Sequence, residues 1–250
     1  MKTIKSDKWQ AASDRKNTRM ARGGNSRPPS PVTRHAPAFT LVELLVVISI
    51  IGVLAAFTFP VMTAVKKYQF ITHTRAEMGQ LEAAIEGYKD AYGFYPPDNP
   101  GNVLTNQLYY ELIGTTNTDT TTGKFQTLDG SSTVTTAQLN GVFGNSVSAF
   151  INCSKPGAGE QVPAGRNFIH ELRPAQTKAF NGVTLLVGSV GGPDPNYTPL
   201  AGSTANPWRY ISQGVNNPGS YDLWIQLQIN GTKYLVCNWN NQAQVNNPLP

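Results

Sequence analysis

One apolar run divides this chain in two. From Phe39 to Val65 the sequence FTLVELLVVISIIGVLAAFTFPVMTAV carries a single charged residue, Glu43, and Lys66-Lys67 close it. About 20 apolar residues cross a bilayer as a helix, so the run is expected to span a membrane. Beyond it the pattern changes to an amphipathic one. Phe70, Met78, Leu81, Ile85, Tyr88 and Tyr92 recur at helical spacings, while Thr72, Arg75, Glu77, Gln80, Glu82, Glu86 and Lys89 occupy the other faces. A single helix from Phe39 to about Ala91 is predicted, roughly 80 Å long. Its first half would lie in lipid or in the core of an assembly, and its second half would pack on a domain. Pro60 lacks an N–H and its ring clashes with the preceding turn, so a kink or local melting is expected there, with Gly52 a second weak point. Gly93 can take the left-handed stop position, and Pro96-Pro97 forbid continuation.

The remaining chain alternates loops and short ordered pieces. Asn102–Gly114 reads as a short helix. Thr115–Thr136 is rich in Thr, Asp, Ser and Gly and reads as a surface loop. Leu139–Ile151 holds short apolar pieces, Arg166–Ala179 a second short helix interrupted by Pro174, and Asn181–Val190 a strand bounded by glycines. Gly191–Asn206 is Pro/Gly loop. Pro207–Ser212, Tyr221–Ile229 and Thr232–Asn238 read as three antiparallel strands, with Asn230-Gly231 as the hairpin signal. Such a sheet can cover the amphipathic half of the long helix, which makes the fold class α+β. The organisation expected is a leader at 1–38, the apolar helix half at 39–65, the amphipathic half at 66–97, a variable loop-rich region at 98–206 and the C-terminal sheet at 207–250.

Charge sharpens the topology. The formal net charge of the 250 residues is +5, but nine Lys and Arg residues against only Asp7 and Asp14 fall within 1–38, leaving the rest slightly acidic. The basic pI therefore belongs to the leader and does not license nucleic-acid binding by the folded part. Cations just before a span hold that side in the cytoplasm. The leader lacks apolar periodicity and carries Pro28, Pro29, Pro31 and Pro37, so it is expected to be disordered or removed. Cleavage between Ala38 and Phe39 would keep the span in the mature chain. Glu43 would then lie one turn from the new amine, paired with a cation or solvated at the headgroup boundary.

The stretch AFTLVELLVVISIIGVLAA resembles the processing and methylation motif of type IV prepilins and type II secretion pseudopilins. The resemblance implies cutting by prepilin peptidase before Phe39, N-methylation of Phe39, and a glutamate at the fifth mature position, which is Glu43. Ala38 stands where the family usually has Gly. Leu81 to Pro96 resembles the helix end of major pseudopilins, and NPWRYIS, NNPGSYDLW and CNW resemble their C-terminal sheet. Thr115 to Ala205 is unmatched. The implied fold is pilin-like, a long N-terminal helix packed against a small C-terminal antiparallel sheet. The implied function is a structural subunit of a type II secretion pseudopilus or type IV pilus-like filament. It would be held in the bacterial inner membrane with a cytoplasmic leader and periplasmic C-terminal part, then drawn into a periplasmic or surface filament. Its partners would be prepilin peptidase, homologous subunits, inner-membrane assembly machinery and lipid, with no nucleic acid. Glu43 would pair with the amine of an adjacent copy and set the axial register, as buried polar residues do in coiled coils. The alternative is a single-pass anchored protein that binds a partner without polymerising.

Other chemistry is thin. The family's major pseudopilin binds calcium after the YDLW-like strand, and calcium takes six to eight oxygens. Here Asp222 is the only acid after Asp194, and Asn230-Gly231-Thr232-Lys233 replaces the acidic loop, so no calcium site and no cofactor are expected. Cys153 and Cys237 lie beyond the span and could form a disulfide outside the cytoplasm, or be two buried thiols. His35, His73 and His170 have no ligand spacing with them. Neither a nucleotide cradle nor a catalytic triad can be argued, and no enzyme activity is expected.

Overall fold

The computed structural model describes residues 39–144, 147–155, 164–169, 171–189 and 199–246, with backbone only at 58–64. The leader 1–38, including Ala38, lies outside the described residues. The chain divides into two compact units, Met1–Val53 and Leu54–Pro250, and helix α1 (Leu41–Tyr92) runs through both. The helix is unbroken at Gly52 and at Pro60, and the side chain of Pro60 is not among those described. Its end is a left-handed Gly93 at φ +83, whose N–H reaches the Lys89 carbonyl at 2.7 Å.

In the second unit, α1 buries Met78, Leu81, Ala84, Ile85 and Tyr88. These positions make the stripe of an amphipathic helix. They join one core with Leu108, Tyr110, Leu112 and Ile113 of α2 (Leu108–Ile113) and with Leu223, Ile225 and Leu227. The latter three belong to β8 of the C-terminal sheet. That sheet holds β7 (Arg209–Ile211), β8 (Asp222–Ile229), β9 (Thr232–Cys237) and β10 (Asn240–Val245) in the order β10-β9-β8-β7, all antiparallel. Asn230 at φ +51 and Gly231 at φ +77 make the β8–β9 turn, as the Asn-Gly pair predicts. β10 adds a fourth strand to the three expected. Its sequence, NNQAQV, lacks the apolar alternation by which strands are recognised, because it is an edge strand that buries little.

The Thr-rich segment is a sheet and not a loop. β1 (Thr115–Asp119), β2 (Lys124–Thr127) and β3 (Thr133–Thr135) form an antiparallel meander, and β4 (Cys153–Ser154) pairs with β1 in parallel. Threonine is β-branched and suits a pleated surface. Phe125 and Val134 reach the core, Thr115 and Thr127 are buried, and the Thr115 hydroxyl bonds the Asn152 carbonyl at 3.2 Å. Helix α3 (Thr136–Phe143) follows, started by a capping box between Thr135 and Gln138. Among the described residues of 166–179 no α-helix forms. Phe168 N–H is tied to the Leu112 carbonyl at 2.8 Å, and only Pro174–Gln176 makes a 3₁₀ turn before the hairpin β5 (Thr177–Phe180) and β6 (Val183–Leu186). The expected strand across Asn181–Val190 is therefore β6 with Asn181-Gly182 as its turn.

Candidate assembly site at the N-terminus of the long helix

Glu43 closes a local ring. Its carboxylate oxygen Oε2 accepts the Thr40 N–H at 2.9 Å and the Thr40 hydroxyl at 2.8 Å. The Thr40 Oγ1 in turn accepts the Glu43 N–H at 3.2 Å. Thr40 is the residue before α1 and Glu43 its third residue, so this is a capping box that satisfies two of the orphan donors of the first turn. Leu44 N–H makes the first helical bond, to the Thr40 carbonyl at 3.2 Å. The sequence signal was present as Thr40-Leu41-Val42-Glu43. Thr40 is thus a functional residue beyond those expected, and Glu43 is a capping partner as well as a lone charge among apolar residues.

Behind the cap, the helix is apolar on every side. Phe39 is 75% exposed, and Leu41, Val42, Leu44, Ile48, Ile50, Ile51, Val53, Leu54 and Phe57 are all more than half exposed. Ser49 hides its hydroxyl on the Leu45 carbonyl at 2.7 Å, leaving no free polar group on that turn. A Cβ on Gly52 would meet nothing within 4 Å, so that face is open. A helix hydrophobic all round needs lipid or other protein around it. Among the described residues no helix is long and apolar enough to cross a membrane; described side chains run from Phe39 to Phe57 and resume at Val65.

The second unit is organised by buried carboxylates. Glu111 on α2 is fully buried. It accepts N–H groups of Ile151 and Asn152, both at 2.9 Å, and the Tyr88 hydroxyl of α1 at 3.1 Å. Burial holds its pKa above the usual carboxylate range despite these bonds. Glu77 of α1 accepts the Ser189 N–H at 3.2 Å and the Ser189 hydroxyl. Its pKa is likewise raised by burial, against the Ser189 bonds and His73. Asp222, also fully buried, accepts the N–H groups of Val215 and Asn216 at 2.9 Å and of Asn217 at 3.0 Å. Its carboxylate thus closes the β7–β8 loop from within. Among the described residues no three of His, Cys, Asp and Glu come together as a metal site. Cys153 and Cys237 are free in the structure; they sit on β4 and β9, in different sheets.

The prokaryotic N-terminal methylation motif matches residues 34–59. The chain carries the prepilin-type motif of pilins and pseudopilins. The motif is that of type IV pilin-like prepilins, and the α+β architecture, with helix 41–92 and several sheets, is consistent with a pilin-like fold. No curated protein and no solved structure matches the chain. Proteins of this motif family are structural. The motif implies, for a prepilin in general, processing by prepilin peptidase and assembly with other pilin subunits.

Proposed function

We propose that this chain is a prepilin, a structural subunit of a type II secretion pseudopilus or type IV pilus-like filament. It is cut before Phe39, N-methylated there, and polymerised through the apolar part of α1. The observation that carries this reading is the methylation motif ending in an all-round apolar helix whose one charge, Glu43, sits one turn from the cut. In the precursor the Glu43 carboxylate is held by Thr40. Once Phe39 carries a free amine, Glu43 has a second, cationic partner at the same depth on a neighbouring subunit, and charge-assisted bonds are stronger than those to a hydroxyl. Storage with the leader in the cytoplasm and the second unit in the periplasm follows from the basic leader. The match at 34–59 and the exposure of the apolar helix surface support this arrangement.

Mass spectrometry of membrane-extracted protein tests the processing step. N-methylated Phe39 is expected; an intact Met1, or a start after Ala56, refutes it. Glu43→Ala tests the assembly step: crosslinked multimers should be lost while membrane insertion persists. Multimers at the wild-type level would leave an anchored, non-polymerising protein as the better account.

A further inference from the structure

One end of the second unit carries three exposed lysines, Lys66, Lys67 and Lys233, that the filament reading leaves unused. The direction of the sheet along α1 locates it. Tyr221, just before β8, meets Tyr95 edge-on at 4.9 Å, beyond the C-terminal end of α1. Near the opposite end of β8, Leu227 pairs with Tyr234 of β9, and Lys67 Nζ lies 4.7 Å above the Tyr234 ring. Arg75 binds the Asn240 carbonyl at 3.1 Å, farther along the helix. The β8–β9 turn therefore comes down to the level of Lys66-Lys67, where the apolar stretch of the sequence ends. Successive strand residues point to opposite faces, so Tyr234 meets Lys67 while Lys233 emerges on the other side of the sheet. Lys66, Lys67 and Lys233 are all exposed. Val65 and Tyr68 (72% exposed), which flank Lys66 and Lys67 in the sequence, and Val245, paired with Tyr234, are exposed apolar and aromatic side chains on the same elements. The sequence carries no Asp or Glu from Lys66 to Ala76 or from Leu223 to Pro250.

We infer that this collar seats on anionic phospholipid headgroups of the membrane from which the stretch ending at Val65 emerges. The inference rests on the reading above, in which that stretch is stored in a bilayer. Cations flanked by tyrosine and aliphatic side chains match the headgroup layer, where lysine stems lie along apolar surface and tyrosine is amphipathic. Attraction to an anionic leaflet acts on each lysine and decays within a Debye length. The collar thus adds a salt-sensitive hold on the subunit that has to be released when it leaves the membrane for a filament.

Lys66 and Lys67 lie beside headgroups in any account of a spanning helix; Lys233 does so only if the hairpin seats. The full chain is placed in nanodiscs of phosphatidylcholine, or of phosphatidylcholine with phosphatidylglycerol, and its lysines are acylated and mapped by mass spectrometry. Lys233 should react about fivefold more slowly in the anionic discs, with Lys124 on β2 unchanged. High salt should erase the difference, and Lys66→Gln with Lys67→Gln should reduce it. Equal Lys233 reactivity in both lipids, with the chain co-eluting with the discs, overturns the collar and leaves the span intact. Failure to co-elute with discs of either composition overturns the membrane reading beneath it.

Discussion

Glu111→Gln probes the buried carboxylate on which α1, α2 and the segment entering β4 converge. In the wild type one oxygen takes the Ile151 N–H and the other takes the Asn152 N–H and the Tyr88 hydroxyl. An amide offers one acceptor atom and one donor group. The less costly orientation keeps its oxygen toward Asn152 and Tyr88 and turns its NH₂ onto the Ile151 N–H, donor against donor. An unsatisfied buried donor costs about 1–3 kcal/mol, so a net loss of about 2 kcal/mol is expected. That corresponds to a midpoint lowered by roughly 4–8 °C for a unit of this size. The pH dependence supplies the sharper test. A carboxyl whose folded pKa is raised contributes stability that is complete below its unfolded pKa and is lost as pH rises through the folded value. The advantage of wild type over Glu111→Gln should therefore be largest at acid pH and shrink toward neutrality. Glu77 and Glu82, also raised by burial, are common to both proteins and cancel in the difference. Thermal unfolding of the detergent-solubilised full chain, followed by near-UV circular dichroism across that range, measures it. An advantage that grows with pH would show that the hydrogen bonds outweigh burial and that the charged form is the favoured one.

Three further outcomes are expected. Thr40→Ser should keep the first turn of α1 protected in amide exchange and Thr40→Val should lose it; equal protection in the two would remove the capping box from the account. Asp222→Asn should cost about 2 kcal/mol in urea unfolding and open residues 213–217 to proteolysis, since one of its two oxygens becomes a donor facing backbone N–H groups. Intact masses should not change on reduction. Half-buried Cys153 should alkylate in the native chain and fully buried Cys237 only after denaturation, whereas a mass gain after reduction and alkylation alone would restore the disulfide.

The parts of this protein that were legible in its sequence are those governed by local physics. The apolar run, its single acid, the change to a 3.6-residue stripe after Lys67 and the stop at Gly93 each depend on residues within a few turns of one another. The motif at 34–59 is likewise contiguous, and the β8–β9 hairpin follows from Asn230-Gly231 between two apolar strands. Where the reading failed, the deciding partner was distant. The Thr-rich segment is a sheet because Phe125 and Val134 find the core and Thr115 finds Asn152, and β10 is a strand only because β9 lies beside it. Glu111 and Asp222 are indistinguishable from surface acids in the sequence; folding places backbone N–H groups around each. The same holds for Lys233, which looks like any hairpin lysine until the antiparallel run of β8 along α1 brings it level with Lys66 and Lys67. Glu43 lies between these cases. Its position was set by the sequence, but its hydrogen bonds became visible only when the first turn of α1 formed and Thr40 closed on it.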